Sequence, residues 1–145
     1  MELGKLYAIQ TTASTTEGAQ YVYCKKLVKN ETGERPLYTG YHSTVSAFYY
    51  GTLIVGDQFD GNFDGYSALD TNIPLSSLKE PTAFDSPTTF AVASVIPGWT
   101  AALQLMRAGE RWMLYSAYGS SGNNDGTIPG YTALTFDLLL ERIVE

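Results

Sequence analysis

The chain alternates short apolar runs with polar, turn-forming residues, the pattern of β-strands joined by loops. The pattern predicts strands at residues 21–28, 43–55, 88–92, 110–115 and 132–144. In the last of these runs every second residue is apolar, which puts one set of side chains on one face: Leu134, Phe136, Leu138 and Leu140. A sheet with one buried face accounts for this alternation.

A different spacing follows Pro97. Trp99, Leu103 and Met106 are separated by four and then three positions, which places them on one face of a short helix that Gly109 would end. Many strands and one short helix predict an α+β domain, in which an antiparallel sheet folds over that helix.

The length of 145 residues fits one domain with a single core. Residues 1–20 contain the polar run TTASTTEG and are interpreted as a flexible lead-in, so that the domain proper spans residues 21–145. Residues 61–86 are rich in Asp, Ser, Thr, Pro and Gly. Because this stretch is too long for an idle connection, it is predicted to be an inserted loop with some order of its own.

Charge and composition exclude several classes of function. A net charge of -6 with only nine Lys and Arg residues argues against a nucleic-acid partner. Cys24 and His42 are each the only residue of their type, which excludes an internal disulfide and leaves little material for a His-based metal site or a Ser-His triad. The sequence has no apolar run of membrane-spanning length. It leaves the compartment open; one hypothesis is an exported, periplasmic or lipid-anchored protein whose leader has been removed.

The stretch QFDGNFDG begins like a calcium-binding loop. Asp60, Asn62 and Asp64 alternate and Gly65 follows, as in the opening of an EF-hand. The twelfth position, which should be a bidentate Glu, is Thr71, and no amphipathic helix flanks the stretch. Asp, Asn and Gly are also common in tight turns, so we interpret the stretch as a loop between strands and predict no metal site.

Four segments carry a resemblance to a known family: YYGTLIVGDQFD at residues 49–60, SVIPGWTAALQLMRAGE at 94–110, SAYGSSG at 116–122 and TIPGYTALTFDLLL at 127–140. In this order they resemble the FKBP-type peptidyl-prolyl cis-trans isomerases, the macrolide-binding family, over about residues 21–143. In that family a strand reading Y-x-G leads, ten residues after its Tyr, to Phe-Asp, and Tyr49 to Phe59 is the same interval.

The resemblance implies a twisted antiparallel sheet half wrapped around one short helix. It also implies an activity: rotation about Xaa-Pro peptide bonds in an apolar pocket, without a cofactor, in support of protein folding. The implied partners are proline-containing polypeptide substrates, with a macrolide as a further ligand. The chain's lack of a nucleophile with a paired base is consistent with this, because the reaction breaks no covalent bond.

The resemblance further implies the site residues. Those with catalytic roles are Tyr49, Phe59, Asp60, Ile96, Trp99 and Tyr118, and those that bind the substrate are Val95, Ile128 and Phe136. Trp99 forms the floor beneath the proline ring, while the Ile96 N–H and the Tyr118 hydroxyl donate hydrogen bonds to carbonyls of the bound chain. Asp60 lies at the pocket edge and acts through its charge.

The sequence departs from the family pattern in three places. Residues 61–86 form an insertion that ends in a second candidate pair, Phe84-Asp85, which matches the family's F-D-S better although spacing favours Phe59-Asp60. Thr88 stands where a pocket Phe is usual, and residues 109–117 are fewer than the family norm. Two other functions therefore remain: a chaperone-like module that binds peptides without turnover, and a calcium-dependent adhesion or scaffold domain.

Overall fold

The structure is a computed structural model that describes residues 2–15, 18–35, 43–118 and 133–144. The elements are, in chain order, β1 Leu6–Thr15, β2 Gly18–Val28, β3 Thr44–Leu53, β4 Gln58–Gly61, β5 Thr88–Ala91, a 3₁₀ turn Val92–Ser94, α1 Pro97–Leu103, β6 Arg111–Tyr118 and β7 Ala133–Ile143. Among these residues no helix is long and apolar enough to span a membrane.

Seven strands of the described chain form one antiparallel sheet in the order β1-β2-β6-β7-β3-β4, with β5 also paired to β3. The central strand β7 lies between β6 and β3. Its alternation is as predicted, since four of its side chains are at most 5% exposed: Leu134, Phe136, Leu138 and Leu140. They lie on the inner face of the sheet, which we define as the face that packs against α1.

The predicted helix is present at residues 97–103. Pro97 occupies its first turn, where a missing N–H costs nothing, and the carbonyl of Ile96 accepts hydrogen bonds from the N–H groups of Trp99 and Thr100 at 3.0 and 3.1 Å. Trp99, Leu103 and Met106 are all buried against the sheet. Gly109 adopts a φ of 90°, which favours glycine, in the turn that leads from the helix to β6.

Residues 62–81, which we call the outer segment, cover the opposite, outer face of the sheet. Phe63 and Tyr66 are each 5% exposed, and Tyr66 packs with Leu27 of β2 and Met113 of β6. The N–H of Ala68 donates to the Thr52 hydroxyl at 3.1 Å. This stretch lies within the predicted inserted loop, and its order comes from a second, smaller apolar cluster.

A buried ion pair fixes the outer segment to the sheet. Arg111 donates to both carboxylate oxygens of Asp137, from Nε at 2.8 Å and from Nη2 at 2.6 Å. The same carboxylate accepts the Tyr66 N–H at 3.0 Å, and Arg111 Nη1 donates to the Lys79 carbonyl. The guanidinium also lies over the rings of Phe63 and Tyr66. The pair therefore holds both ends of the outer segment.

The N-terminal region differs from the predicted flexible lead-in. Leu6–Thr15 forms strand β1 and pairs antiparallel with β2, with Ile9 opposite Val22 and Tyr7 opposite Cys24. Ile9 packs against the inner core. The lead-in interpretation is wrong for residues 6–15, because strand pairing uses backbone groups and does not require an apolar sequence.

Candidate active site

Five aromatic rings from five different elements meet on the inner face of the sheet. They are Tyr49 of β3, Phe59 of β4, Phe90 of β5, Trp99 of α1 and Phe136 of β7. The Trp99 ring lies 5.3 Å from Tyr49, 4.9 Å from Phe90 and 5.2 Å from Phe136, always edge to face. Phe59 contacts Phe136 at 5.7 Å in the same geometry. Such edge-to-face pairs are the favoured aromatic arrangement.

The Y-x-G sequence on β3 explains how two of these rings fit. Tyr49 and Gly51 face inward on alternate positions of the strand. A Cβ atom at Gly51 would lie 2.9 Å from ring carbons of both Phe59 and Phe136. Because real Cβ atoms essentially never approach so closely, the two rings occupy space that only a glycine leaves free.

Asp60 and Tyr49 are coupled across the β3–β4 pair. Burial, a hydrogen bond to Asp60 and the charge of that carboxylate raise the pKa of Tyr49 to about 12. Asp60 itself is exposed, and its Oδ1 accepts the Gly61 N–H at 2.8 Å. The structure therefore places a carboxylate at the edge of the aromatic cluster, with the Tyr49 hydroxyl as its donor.

Asn62 joins the strands beside this pair. Its Oδ1 accepts the Tyr49 N–H at 2.8 Å, and its Nδ2 donates to the carbonyl of Ala47 at 3.1 Å and to the Thr88 hydroxyl at 3.0 Å. A calcium loop would need the Asn62 oxygen as a ligand, whereas here it replaces a strand-to-strand hydrogen bond. In the described part of the chain no three His, Cys, Asp or Glu residues are grouped to hold a metal ion.

The second candidate pair lies apart from the aromatic cluster. Phe84 is 97% exposed. The Asp85 Oδ2 accepts the N–H and the hydroxyl of Thr82, at 2.7 and 3.1 Å, and so closes a local turn. Phe59-Asp60 is therefore the pair that the fold brings to Tyr49 and Trp99, as the ten-residue interval predicts.

Trp99 is at the centre of the cluster and only 3% exposed, yet its Nε1 has no hydrogen-bond partner among the described residues. Val95 and Ile96 precede it and are half-buried against the core. The Thr100 hydroxyl donates to the Val92 carbonyl at 2.7 Å, which fixes the start of α1 below the rings. A rigid helix start thus positions the indole.

Two predicted site residues, Ile128 and Tyr118, lie outside or at the limit of the described ranges. Ile128 lies outside the described residues, as does His42. Tyr118 ends β6 opposite Ala133, and the structure describes its backbone only. Phe90 and Asn62, in contrast, belong to the site although the sequence did not single them out for it. The position of Phe90 two residues after Thr88 was the available signal, because residues two apart on a strand share a face, and on β5 Phe90 packs against the core while Thr88 is exposed.

A comparison with models of protein families identifies the family of this chain. Residues 39–141 match the model of the FKBP-type peptidyl-prolyl cis-trans isomerase family, which is more than half of the chain. The chain belongs to this family. The family and the fold predicted from the sequence are thus confirmed. In this FKBP domain, four of the five rings come from three of the four sequence segments: Tyr49 and Phe59 from the first, Trp99 from the second and Phe136 from the last.

Individual relatives agree with this assignment. The FKBP domain is 33% identical over 134 residues to the FKBP-type isomerase FkpA of Aeromonas hydrophila, covering 90% of this chain and 40% of that protein. It is 39% identical over 98 residues to the outer membrane protein MIP of Legionella longbeachae, covering 68% of this chain and 31% of that one. The chain thus spans less than half the length of these curated relatives.

A solved structure supports the fold. A peptidyl-prolyl cis-trans isomerase from Pseudomonas syringae superposes with a TM-score of 0.60 at 27% identity, covering 86% of this chain and 76% of that chain. The antiparallel sheet and the short helix of the described residues match this solved structure.

Proposed function

We propose that this FKBP domain catalyses cis–trans isomerisation of Xaa-Pro peptide bonds in polypeptide substrates. The observation that carries the proposal is the cluster of Tyr49, Phe59, Trp99 and Phe136 with the Asp60 carboxylate at its edge. Family membership supplies the reaction class, and the cluster supplies a site of suitable chemistry. No cofactor takes part.

The physical chemistry of the reaction fits such a cluster. Amide resonance gives the prolyl bond a rotation barrier of about 18–20 kcal/mol, although its cis and trans forms differ by only about 0.5–1 kcal/mol. The twisted transition state has lost conjugation and carries less charge separation than the planar amide. Moving the amide from water to an apolar surface therefore raises the planar state relative to the twisted one, and lowers the barrier.

Each site residue has a role in this proposal. Trp99 is the floor under the proline ring, and Phe59 and Phe136 are its walls, with Val95 and Ile128 as further contacts to the substrate. The Ile96 N–H and the Tyr118 hydroxyl donate to flanking carbonyls and hold the chain in the twisted geometry. Asp60, oriented by Tyr49, acts through its negative charge on the carbonyl carbon and moves no proton.

The proposal also covers a further ligand, the location of the protein and the bounds of the domain. We expect a macrolide to occupy the same site, since the rings that receive a proline ring would receive an apolar ring of a ligand. Export of the protein is supported by the name of the Legionella longbeachae relative, an outer membrane protein. Residues 61–86 are proposed to be an insertion relative to the family, and the seven-stranded sheet, which includes β1, is proposed to form the catalytic domain together with α1.

The test is an NMR exchange measurement on an Xaa-Pro peptide, in which cis and trans give separate signals. We expect protein at catalytic concentration to raise the exchange rate between these signals, and Asp64→Ala to match the wild type because Asp64 is exposed and outside the cluster. Line broadening from binding without faster exchange would favour the chaperone-like alternative. A rate equal to that of the free peptide would overturn the proposal.

A further inference from the structure

A polar cavity of about 340 Å³ lies at the C-terminal end of α1, away from the aromatic cluster. It opens between the loop at residues 29–35 and the turn at residues 104–110. Its lining is dominated by charged side chains: Lys26, Lys29, Glu31, Arg35, Leu105, Arg107 and Glu110. We propose that this cavity is a second binding site, which takes a phosphate group.

The charge of the cavity is opposite to that of the protein. The chain has nine Lys and Arg residues and a net charge of -6, yet four of the nine line this one cavity. Two of the four have acidic partners, since Lys26 pairs with Glu110 at 3.2 Å and Lys29 with Glu31 at 3.1 Å. Arg35 and Arg107 are left with two uncompensated positive charges. A phosphate group carries about -1.5 to -2 at pH 7 and matches them.

Glu110 does not cancel this charge further, because its carboxylate is already satisfied. It is 2% exposed and accepts hydrogen bonds from Lys26 Nζ and the Asn30 N–H, both at 3.2 Å. Its other oxygen accepts the Arg107 N–H at 3.3 Å and Trp112 Nε1 at 3.2 Å. The acid therefore serves to join the elements behind the cavity and leaves the cavity rim cationic.

Hydrogen bonds fix the two walls of the cavity to one another. Asn30 Nδ2 donates to the Ala108 carbonyl at 2.8 Å, and the Ala108 N–H donates to the Glu34 carbonyl at 2.7 Å. The approach at Gly33 is so close that a Cβ there would lie 2.2 Å from the Ala108 oxygen. A site whose walls are already in place loses little conformational freedom when it binds a ligand.

Arg107 is held in the orientation that a ligand needs. Its Nη1 donates to the Gly33 carbonyl at 3.0 Å, which fixes the guanidinium at the rim. A guanidinium has five N–H donors, and the described residues accept only this one bond from it, so donors remain for an anion. Arginine presents paired donors that match phosphate oxygens, and this favours a phosphate group over a chloride ion.

A purely structural explanation predicts a different outcome. Basic side chains near the end of a helix stabilise its negative C-terminal dipole, and this would place Arg107 here without any ligand. That explanation does not require the exposed Arg35, which makes no hydrogen bond or ion pair within the described residues. Arg35 is therefore the residue that distinguishes a binding site from a stabilised helix end.

The experiment is a titration of the ¹⁵N-labelled protein with inorganic phosphate, followed by amide shifts, with chloride adjusted to keep the ionic strength constant. We expect saturating shifts at Asn30, Gly33 and Arg107, with half-saturation at or below about 1 mM. Arg35→Ala should weaken binding about fivefold, or about 1 kcal/mol, without a change in melting temperature. The matched control is Arg142→Ala, since Arg142 is also exposed but pairs with Glu141 and does not line the cavity.

Several results would overturn the proposal. Shifts that rise linearly without saturation, or that are as large near Arg142 as at Gly33, would indicate non-specific attraction. Equal binding by wild type and Arg35→Ala would assign the basic side chains to the helix end alone. A parallel titration with acetate tests for a general anion site, and equal affinity for acetate would contradict phosphate selectivity. None of these titrations measures isomerase activity, so their outcome is independent of the proposed function.

Discussion

The two faces of the sheet bury polar groups in opposite ways. On the outer face, Arg111 is 1% exposed and Asp137 is 0% exposed, and several hydrogen bonds link them to each other and to the outer segment. On the inner face, the buried Trp99 leaves its Nε1 without an acceptor among the described residues. The buried ion pair of the outer face has its hydrogen-bond partners within the protein, and the Trp99 indole N–H of the inner face has none among the described residues.

This difference suggests that the ion pair of the outer face serves stability and that the aromatic cluster of the inner face serves binding. A buried ion pair costs several kcal/mol of desolvation per ion, and here each guanidinium nitrogen and each carboxylate oxygen has a hydrogen-bond partner. Rings that meet edge to face around a half-buried Phe59, with a carboxylate at the rim, can still gain by contact with another molecule. Substitutions on the outer face should therefore change the free energy of unfolding, and those on the inner face should change catalysis.

The largest effect is expected from Arg111→Met. The variant leaves the Asp137 carboxylate buried with only the Tyr66 N–H as a described donor, and it releases the Lys79 carbonyl. We expect a loss of about 3–5 kcal/mol in the free energy of unfolding, measured by urea denaturation. Arg142→Met is the control and should lose less than about 1 kcal/mol, because its pair is exposed. Equal losses would contradict the contrast between the faces.

Next in size is Trp99→Leu, which removes the floor of the cluster. We expect kcat/KM for an Xaa-Pro peptide to fall about a hundredfold, or about 2.7 kcal/mol of transition-state stabilisation. If a macrolide binds this site as proposed, it should change the fluorescence of the wild type, and Trp99→Leu should lose that change. Trp112→Phe is the control, because Trp112 donates to Glu110 and, among the described residues, its ring pairs with no aromatic ring of the cluster. This variant should keep both the activity and the fluorescence response.

A smaller effect is expected from Asp60→Ala. Loss of the carboxylate at the cluster edge should lower kcat/KM at least about tenfold, or about 1.4 kcal/mol, with little change in melting temperature. Asp64→Ala and Asp85→Ala are matched controls, because one is exposed and the other closes a turn with Thr82. If Asp85→Ala were damaging and Asp60→Ala silent, the assignment of the pocket pair would be reversed.

The smallest effect concerns pH. The proposed mechanism moves no proton, so the isomerisation rate should be flat between about pH 6 and pH 8, and a bell-shaped profile would contradict it. Tyr49 also affects stability, because its pKa is raised from 10.0 to about 12. Its contribution is complete below pH 10 and is lost as the pH rises towards 12, since the unfolded chain releases the proton first. Tyr49→Phe should reduce this alkaline loss in urea denaturation.

Local pattern predicted the elements whose apolar residues repeat with a clear period. The alternation on β7 and the helical spacing of Trp99, Leu103 and Met106 both correspond to buried faces. The strand β1 was missed, because its pairing with β2 uses backbone groups and its second half, residues 10–15, is polar apart from Ala13. Periodicity predicts which side a segment buries, and it says little about segments that are held mainly by backbone pairing.

Long-range partners could not be predicted from the sequence. Arg111 and Asp137 are 26 positions apart, and they meet only because β6 and β7 are neighbours in the sheet. The same holds for Asn62, whose alternation with Asp60 and Asp64 is typical of a calcium loop until its amide is seen to join β3 and β5. The proposed pocket pair was different, since the resemblance to the family supplied the ten-residue interval from Tyr49, and the strands that carry Tyr49 and Phe59 are neighbours in the sheet.

The glycine at position 51 limits which substitutions the aromatic cluster can accept. The rings of Phe59 and Phe136 fill the volume next to Gly51, so any residue larger than glycine there collides with both. In a library that randomises positions 51, 59 and 136 together, alanine at position 51 should survive only with smaller residues at both of the other positions. The three positions would then change together, and the shape of the site would change in steps.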